Sequence, residues 1–394
     1  MNLEPVIDLG MQPWCNHFLR AEEIGSEPFY PLRVVYCHNC SAAQLDFTVR
    51  REIMFGDHTY LSGVTRSLGV HFGEVARDVD LRFFAEKRAK SVLDIGSNDG
   101  TQLKKFQELG YDVLGVESSR TTAKIANDAG VPTRNAFFNE ATAAELGRTF
   151  DVINAAGVFF HLEELHSVTE GIRKSLADDG VFVVQCLYMK SIVENGAFDQ
   201  IYHEHLLYYT LATLRRLLAR HSLELFDVRL APIHGGTLVA YVGHPGKHRI
   251  EESVNAMLAA EEAAGTNAIE TYRNFAARIE ELKRNDLAVL HDAREKGWRV
   301  FGLGAPVKGN TLLNYFQAGP ELIECLVERN ELRRGLYSPG MHIPLRIEDE
   351  LEGDPDLWYV LAWNFRDEIL KRYADAIARG VRFHFPIVPK EIRG

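Results

Sequence analysis

The chain has 394 residues, of which 46% are hydrophobic and 25% are charged, and its formal net charge is -11 at pH 7. This length and composition predict two or three globular domains and exclude large-scale disorder. Because the lysines and arginines are scattered rather than clustered in a basic stripe, nucleic acid is not an expected partner. The sequence contains no long apolar segment and no signal peptide, so we expect a cytoplasmic protein that does not associate with membranes.

The stretch up to about residue 60 consists of short segments and turns around "YCHNC", and it predicts a small N-terminal module. Cys37 and Cys40 have the spacing of one zinc knuckle. A closed structural zinc site needs four ligands, which Cys15 together with His17 or His38 could complete. A pair of buried free cysteines is the alternative interpretation.

From about residue 70, helical segments alternate with apolar strands, which predicts a parallel sheet covered on both faces. The predicted helices are "LGVHFGEVARDVDLRFFA", the segment after Gly100, "RTTAKIANDAG" and "LEELHSVTEGIRKSL", the last ended by the turn "ADDG". The predicted strands are "SVLDIG", "DVLGVE", the segment near "VPTRNAFFN", "FDVINAAGVFF" and "VFVVQC".

The segment "VLDIGSNDGTQL" is a strand that runs into a glycine-rich turn and a helix. Gly96 and Gly100 let the backbone turn tightly and approach a ligand, and the helix beyond offers free N–H groups. Glu117, at the end of the next strand, has the position that accepts hydrogen bonds from a ribose. S-adenosylmethionine and NAD both fit this pattern, and a tight turn without ligand is the third interpretation. Asp94 favours S-adenosylmethionine, since a carboxylate there is compatible with a sulfonium and awkward beside a pyrophosphate.

The segment "FDQIYHEHLLYYT" concentrates titratable and hydroxyl groups. On a helix, Tyr202 would share a face with Leu206 and Tyr209; on an extended segment, His203 and His205 would share one. No further ligand cluster follows, so a metal site is disfavoured. Histidine, with an ordinary pKa of about 6.5, is the natural catalytic base, but the pattern alone does not say which histidine acts.

Beyond a helical stretch from about 250 to 296, strands "WRVFGLGAP", "LIECLVER" and "LWYVLAWN" predict a second, smaller αβ domain. In "FGLGAPVKGNTLLNY" the glycines and Lys308 could hold phosphate or simply stabilise the turn. His234, in "APIHGGTLVAYV", is a turn residue that either binds ligand or is solvated. Trp363 and Asn364, if exposed at their strand end, could line a ligand cleft.

Taken together, the motifs resemble one family, the S-adenosylmethionine-dependent sugar C-methyltransferases, which act at C-3 of nucleotide-linked 4-keto-6-deoxysugars. The resemblance covers nearly the whole chain and rests on the combination of motifs. They are "DLGMQPWCNHFL", "CHNC", "HTYLSG", "VLDIGSNDGT", "GVFFHLEELH", "FDQIYHEHLLYYT", "PIHGGTLVAYV", "GLGAPVKGNTLLNY", "SPGMHIPL" and "LAWNFRDEI".

The resemblance implies an α/β protein with three parts. Residues 1–68 would form a zinc-ribbon-like module, residues 69–248 a Rossmann-like class I methyltransferase domain, and residues 249–394 a C-terminal Rossmann-like αβ domain. The sugar nucleotide would bind between the last two, and the protein would be a monomer or a homodimer.

The family's site residues transfer to this sequence motif by motif. His205 is the implied general base, and the other implied active-site residues are Tyr202, Glu204, His161 and Tyr60. The implied cofactor contacts are Asp94, Gly96, Asn98, Gly100, Glu117, Phe138 and Asn139. The implied substrate contacts are His234, Gly235, Lys308 and Asn310, and the implied metal ligands are Cys37 and Cys40.

The sequence departs from the family in two places. The family begins with a further CxxC before the "LDLG" segment, and this chain starts at "MNLEPVIDLG", so half of the usual zinc site is missing. Either the start is an internal Met or this member has lost or rebuilt the site. The second departure is "HGGT" in place of "HGGS", which keeps the hydroxyl.

Three other functions remain open at this point. An NAD-dependent sugar oxidoreductase or epimerase would use the Glu117 turn, but that turn lacks GxGxxG. A binding protein that has lost turnover is disfavoured by the intact "YHEH". A methyltransferase with a non-sugar carbon acid as substrate is the third alternative.

Overall fold

The computed structural model describes residues 2–56, 61–64 and 66–388. Elements are numbered in chain order. The strands are β1 (Leu3–Pro13), β2 (Phe29–Cys37), β3 (Ala43–Leu45), β4 (Ser91–Ile95), β5 (Asp112–Glu117), β6 (Thr133–Asn135), β7 (Phe150–Ala156), β8 (Leu176–Leu187), β9 (Leu207–Tyr208), β10 (Glu224–Ala231), β11 (Thr237–Gly243), β12 (Val300–Leu303), β13 (Cys325–Glu328), β14 (Leu345–Ile347), β15 (Leu357–Val360) and β16 (Arg382–His384).

Helices alternate with most of these strands. They are α1 (Arg51–Phe55), α2 (Arg66–Val79), α3 (Thr101–Gln107), α4 (Arg120–Asp128), α5 (Glu140–Leu146), α6 (Leu165–Ser175), α7 (Met189–Asn195), α8 (Leu211–Arg220), α9 (Glu252–Ala263), α10 (Ile269–Glu295), α11 (Val307–Phe316), α12 (Arg366–Arg372) and α13 (Ala374–Ala378). A π-helical turn, Asp80–Phe84, extends α2. The predicted alternation of helix and strand is confirmed. Among the described residues, no helix combines the length and the apolar character that a membrane span requires.

The chain divides into two compact units. Within the described residues, the first unit is made of residues 2–48, 189–205 and 268–388, and the second of residues 49–56, 61–64, 66–188 and 206–267. The predicted boundaries at 68/69 and 248/249 stay predictions. Each unit is described by itself below.

The second unit is built on one seven-stranded sheet. Its strand order is β10-β11-β8-β7-β4-β5-β6, and β11 runs antiparallel to its neighbours β8 and β10 while the other strands are parallel. The chain winds outward in opposite directions from β4, so β4 and β7 form a topological switch point. Ligands of open α/β sheets bind at the carboxyl ends of the strands at such a point.

The core of the second unit explains why these strands are so apolar. Val92, Val152, Val181 and Val239, from four strands, are buried in one cluster with Phe106 of α3. Helices on both faces of a parallel sheet remove water from both sets of side chains, which is why continuous apolar runs, and not alternating ones, mark these strands. The Rossmann-like fold expected from the sequence is confirmed in this unit.

The first unit contains a five-stranded sheet and an N-terminal antiparallel segment. The sheet has the order β14-β13-β12-β15-β16, with its strands parallel, and its switch point lies at β12. In the N-terminal segment β2 pairs with both β1 and β3. The eleven residues of β1 form one of the longer strands, where the sequence suggested only short segments.

Two local expectations were wrong. The segment "ADDG", predicted as a turn, lies inside the continuous strand β8. Its four residues bulge out of the ladder, because Phe150 pairs with Leu176 while Val152 pairs with Val181. The strand predicted over "FDVINAAGVFF" ends at Ala156, and the residues that follow form turns.

The Glu27 carboxylate ties the N-terminal segment of the first unit to the loop before β14. The side chain is 1% exposed and accepts hydrogen bonds from the backbone N–H groups of Gly25 at 2.8 Å and Gly340 at 3.2 Å, with His342 Nε2 also in contact. Burial opposes ionisation, but the hydrogen bonds of His342 and of the backbone lower the pKa of Glu27 below its ordinary value.

The Glu27→Gln variant is expected to lose about 1.5–3 kcal/mol of unfolding free energy at pH 7, since it removes hydrogen bonds to a charged group. The folded-state pKa lies below the unfolded one. The carboxylate therefore stabilises the fold fully above about pH 4.3, and this stabilisation is lost as the pH falls through the folded-state pKa. Urea unfolding at pH 7, 5 and 4 measures both effects. Glu22→Gln, at an exposed position, is the charge-matched control. If both variants keep the wild-type pH dependence, Glu27 does not link acidity to stability.

Candidate active site

A tight glycine turn follows β4 in the second unit. The Gly96 N–H donates to the Val116 carbonyl at 2.8 Å, and Gly96 has φ +69°, which suits a residue without a side chain. A Cβ added at Gly96 would lie 2.4 Å from Val158 Cγ2, so a larger residue cannot be accommodated without a shift. Gly100, with φ +77°, precedes α3 at its N-cap position. The turn thus keeps the backbone of residues 96–100 close to the switch point of the seven-stranded sheet.

Glu117, at the end of β5, holds this turn through its carboxylate. Its Oε2 accepts from the Asn98 N–H and its Oε1 from the Ser119 N–H, both at 2.8 Å. Asn98 lies in the left-handed region with φ +52°, and its Oδ1 accepts from the Ser62 N–H at 2.9 Å. Each carboxylate oxygen has two lone pairs, so Glu117 keeps acceptor capacity for a hydroxyl of a bound ligand.

Buried polar groups gather beside the turn. Burial raises the pKa of Asp94 well above its usual range, and the negative charge of Glu117 adds to the effect. Asp94 pairs in register with Asn154 of β7, so the two side chains lie on the same face of the sheet. Among the described residues, the Asn154 amide and the Ser97 hydroxyl are buried without a hydrogen-bond partner. A ligand with several polar groups fits such a set, because unpaired buried polar atoms are costly.

The two residues expected beside an adenine ring follow β6. Phe138 is buried. The Asn139 side chain already has two structural roles, because its Oδ1 caps α5 by accepting from the Thr142 N–H at 3.0 Å and its Nδ2 donates to Glu164 Oε2 at 3.0 Å. Contact of either residue with a cofactor stays a prediction.

The "YHEH" segment of the first unit is neither a helix nor a strand, so neither of the two conformations considered from the sequence applies. It is a tight turn in which the His205 N–H donates to the Tyr202 carbonyl at 2.8 Å. The turn brings the Tyr202 and His205 rings to a centroid distance of 3.8 Å. A phenol and an imidazole are thereby held side by side.

A backbone carbonyl fixes the His205 imidazole. Nδ1 lies 2.7 Å from the Gln200 carbonyl oxygen, and the side chain is buried. Because a carbonyl only accepts hydrogen bonds, Nδ1 carries the proton and Nε2 carries the lone pair of the neutral ring. The geometry therefore makes Nε2 the basic atom.

His203 lies in a different environment. It is buried with its ring edge-on to Tyr30 at 5.7 Å. Burial lowers the pKa of His203 to about 4. A base of this kind would be weak near neutral pH, which favours His205.

Glu204 is held by two residues from the N-terminal segment. Its Oε1 accepts from Trp14 Nε1 at 2.9 Å and from Asn16 Nδ2 at 3.2 Å. Burial raises the pKa of Glu204, and these two donors oppose the shift. Trp14 and Asn16 were absent from the predicted site. Both lie in the motif "DLGMQPWCNHFL", but no sequence pattern joins residues almost 190 positions apart.

The predicted substrate residues of α11 contact other parts of the first unit. Asn310 Nδ2 donates to the Cys15 carbonyl at 2.7 Å. Lys308 Nζ lies 3.5 Å from the centre of the Trp363 ring and 3.4 Å from Asp199 Oδ2. Trp363 is fully buried, so the condition under which it could line a ligand cleft, exposure at its strand end, is not met. Asp199 was not among the predicted site residues.

Four other predicted site residues are His161, Gly235, His234 and Tyr60. His161 lies in the turns after β7, with its ring 5.2 Å from that of Phe55. Gly235 has φ +85°. The His234 side chain and the whole of Tyr60 lie outside the described residues. The roles predicted for all four stay predictions.

The described residues do not complete a zinc site. Cys37 and Cys40 are partly buried; burial opposes thiolate formation, but hydrogen bonds from the Cys40 and Asn39 backbone lower the pKa of Cys37. His38 Nε2 contacts Glu4 at 3.0 Å, and Cys15 is buried. In the part of the chain that is described, no group of three His, Cys, Asp or Glu side chains could hold a metal ion. Two thiols fall short of the four ligands that structural zinc requires.

Three family models match consecutive parts of the sequence. Residues 1–55 match a model described as "Putative zinc binding domain", residues 71–228 match a methyltransferase domain, and residues 232–389 match a C-methyltransferase C-terminal domain. The matches together span most of the chain.

One curated relative matches over almost the full length. The C-methyltransferase NovU of Streptomyces niveus is 31% identical over 388 residues, which covers 97% of this chain and 92% of NovU.

Solved structures resemble part of the chain. The CcbJ methyltransferase of Streptomyces caelestis is 19% identical with a TM-score of 0.35, and covers 44% of this chain and 89% of its own. Magnesium protoporphyrin IX methyltransferase (ChlM) of Synechocystis PCC 6803, solved with bound S-adenosylhomocysteine, is 12% identical with a TM-score of 0.36, and covers 48% of this chain and 90% of its own. Likenesses at this level carry no functional conclusion.

Proposed function

Because the chain belongs to the S-adenosylmethionine-dependent C-methyltransferases, we propose that it methylates C-3 of a nucleotide-linked 4-keto-6-deoxysugar with His205 as the general base. The observation that carries the proposal is the tight turn that pairs the rings of Tyr202 and His205 while the Gln200 carbonyl holds the imidazole. This arrangement supplies a base and an adjacent hydroxyl, which are the two groups that enolate formation needs.

A carbon nucleophile requires an acidic C–H bond. In a 4-keto sugar the C-3 proton is the one that can be removed, since the electron pair left on carbon is delocalised onto the ketone oxygen. Nε2 of His205 takes this proton, and the ring becomes an imidazolium whose Nδ1–H still donates to Gln200. General-base assistance of this kind is typically worth about 10²–10⁴ in rate.

The developing negative charge on the ketone oxygen needs a hydrogen-bond donor. We assign this role to Tyr202, whose ring lies 3.8 Å from that of His205, with His161 as the alternative. Losing one such donor usually costs about 10²–10³ in rate. Glu204, oriented by Trp14 and Asn16, would hold a sugar hydroxyl or orient His205.

Glu117, the turn around Gly96 and the buried Asp94 would hold the methyl donor in the second unit. When bound, S-adenosylmethionine supplies an electrophilic methyl group to the carbon nucleophile and leaves as S-adenosylhomocysteine. The proposal requires that this donor and His205 act on one substrate molecule. It assigns no step to zinc.

The substrate would be held by Asn310, His234 and Gly235, which are three of the four substrate residues predicted from the motifs. Asn310 supports this part of the proposal, since its Oδ1 is buried without a hydrogen-bond partner among the described residues. His234 and Gly235 are proposed from their motif alone.

A methyl-transfer assay tests the proposal. The protein is incubated with ¹³C-methyl S-adenosylmethionine and a 4-keto-6-deoxysugar nucleotide, and the product is analysed by NMR. We expect the label on C-3. A label on oxygen, or transfer only to a non-sugar carbon acid, would contradict the proposed substrate. Calorimetry with S-adenosylhomocysteine and with NAD is the companion measurement, and binding of NAD alone would favour an oxidoreductase instead.

A further inference from the structure

The carbonyl that fixes His205 belongs to a short 3-10 turn, Phe198–Gln200. Each residue of this turn is buried. The Phe198 ring lies 5.8 Å from the Tyr315 ring and 5.4 Å from the Phe316 ring, both on α11. The orientation of the Gln200 carbonyl therefore depends on how this turn is anchored.

The anchor is a buried carboxylate next to Gln200. Asp199 Oδ2 accepts a hydrogen bond from Trp363 Nε1 at 2.6 Å and lies 3.4 Å from Lys308 Nζ. Lys308 Nζ in turn lies over the Trp363 ring. We call these three side chains, Asp199, Lys308 and Trp363, the carboxylate anchor.

The anchor joins the turn to the five-stranded sheet of the first unit. Lys308 is in the first turn of α11, which follows β12, and Trp363 follows β15. Since β12 and β15 are adjacent parallel strands, both residues lie at the carboxyl edge of the sheet. The Asp199 side chain of the turn is thus held by two residues, Lys308 and Trp363, that follow adjacent strands of the sheet.

A contribution to stability does not explain why the charge pair of Asp199 and Lys308 is buried. Burial lowers the pKa of Lys308 to about 8 against the attraction of Asp199, and burial raises the pKa of Asp199 against Lys308 and Trp363. Among the described residues, Lys308 Nζ and Asp199 Oδ1 are buried without a hydrogen-bond partner. Apolar side chains of similar volume often stabilise such a position as well or better. A role in geometry accounts for the pair.

We propose that Asp199, Lys308 and Trp363 are positioning residues that fix the Gln200 carbonyl and thereby hold His205 in its Nδ1–H tautomer. The inference rests on the proposed function in that His205 is taken as the base. It also gives Lys308 a role inside the protein, in place of the substrate contact predicted from its motif. A base held in one tautomer presents Nε2 to the substrate without reorganisation, which is the advantage that preorganised sites have.

Asp199→Asn tests the proposal because it keeps an oxygen acceptor for Trp363 and removes the charge that faces Lys308. We expect kcat for methyl transfer to fall about 10–100-fold, as for other residues that orient a functional side chain, with much smaller changes in KM. In ¹⁵N-histidine-labelled protein, the His205 signals, assigned by their absence in His205→Asn, should shift from the Nδ1–H tautomer toward a mixture.

Asp286→Asn is the matched control. Asp286 is a comparably buried carboxylate of the same unit, and it accepts from Tyr359 OH at 3.0 Å and His384 Nε2 at 2.7 Å. Its loss should lower thermal stability and leave the His205 signals and kcat unchanged. If Asp199→Asn does not fold, Trp363→Phe keeps an aromatic ring and removes the N–H donor together with part of the ring, and it should give the same change in the His205 tautomer in smaller measure.

The outcomes separate this inference from the proposed function. Wild-type tautomer populations in Asp199→Asn and Trp363→Phe would overturn the positioning role. The NMR measurement needs no substrate, so it decides the role of the anchor even if the 4-keto sugar nucleotide is not methylated. Conversely, a changed tautomer with full activity would retain the anchor and reject His205 as the base.

Discussion

Replacing His205 with asparagine is expected to lower the rate of methyl transfer by about 10²–10⁴-fold, because it removes the general base. Binding of S-adenosylhomocysteine should stay at the wild-type level, since Glu117 and the Gly96 turn belong to the second unit. The decisive measurement is exchange of the C-3 proton of the sugar nucleotide in deuterated water without methyl donor. This exchange should disappear with the methyl transfer.

His203→Asn is the control for this prediction. His203 is packed edge-on against Tyr30, and its low pKa makes it a poor base near neutral pH. The variant should be less stable but should retain proton exchange. If His205→Asn kept more than about a tenth of wild-type turnover while binding both ligands, the assignment of the base would be wrong.

Gly96→Ala is expected to weaken binding of S-adenosylhomocysteine and to lower the free energy of unfolding by about 2–5 kcal/mol. Roughly 1–2 kcal/mol comes from a side chain at positive φ, and roughly 1–3 kcal/mol from the collision of the new Cβ with Val158. Urea unfolding and isothermal titration measure the two effects separately.

Gly110→Ala distinguishes conformational strain from collision. Gly110 has φ +81°, in the same unit, but a Cβ there would meet no heavy atom within 4 Å. The Gly110→Ala variant should lose only the strain contribution to the unfolding free energy, about 1–2 kcal/mol. It should bind S-adenosylhomocysteine as the wild type does. Adding Val158→Ala to Gly96→Ala should restore part of the lost stability. Equal losses of unfolding free energy in Gly96→Ala and Gly110→Ala would show that the close packing of Gly96 against Val158 does not contribute to stability.

The glycine turn after β4 could be predicted from the sequence because its determinants are local. An apolar strand, two glycines with positive φ and an acidic residue at the end of the next strand are all encoded within about 25 positions, and the structure places them together as expected.

The "YHEH" turn could not be predicted in the same way. Its conformation depends on the Tyr202 carbonyl accepting from the His205 N–H, and the periodicity of so short a segment fits a helix or a strand equally poorly. The partners of Glu204 and Asp199 come from residues 14–16, 308 and 363, and only the folded chain brings them together. Long-range contacts between polar side chains leave no periodic pattern in a single sequence.

The bulge over "ADDG" shows a third limit. Acidic residues followed by glycine favour a turn, but here the neighbouring strand β7 pairs with β8 on both sides of the insertion. Tertiary pairing therefore overrode the local preference.

The division of the first unit into three chain segments sets an order of events on the ribosome. All described residues of the second unit, up to residue 267, have been synthesised before the segment 268–388 emerges. At about 5–20 residues per second, that last segment takes on the order of ten seconds to appear. Trp14 is present when Glu204 is made, but Lys308 and Trp363 are not. A nascent chain can therefore contain every strand of the seven-stranded sheet before it contains Lys308 and Trp363, two of the three side chains of the carboxylate anchor.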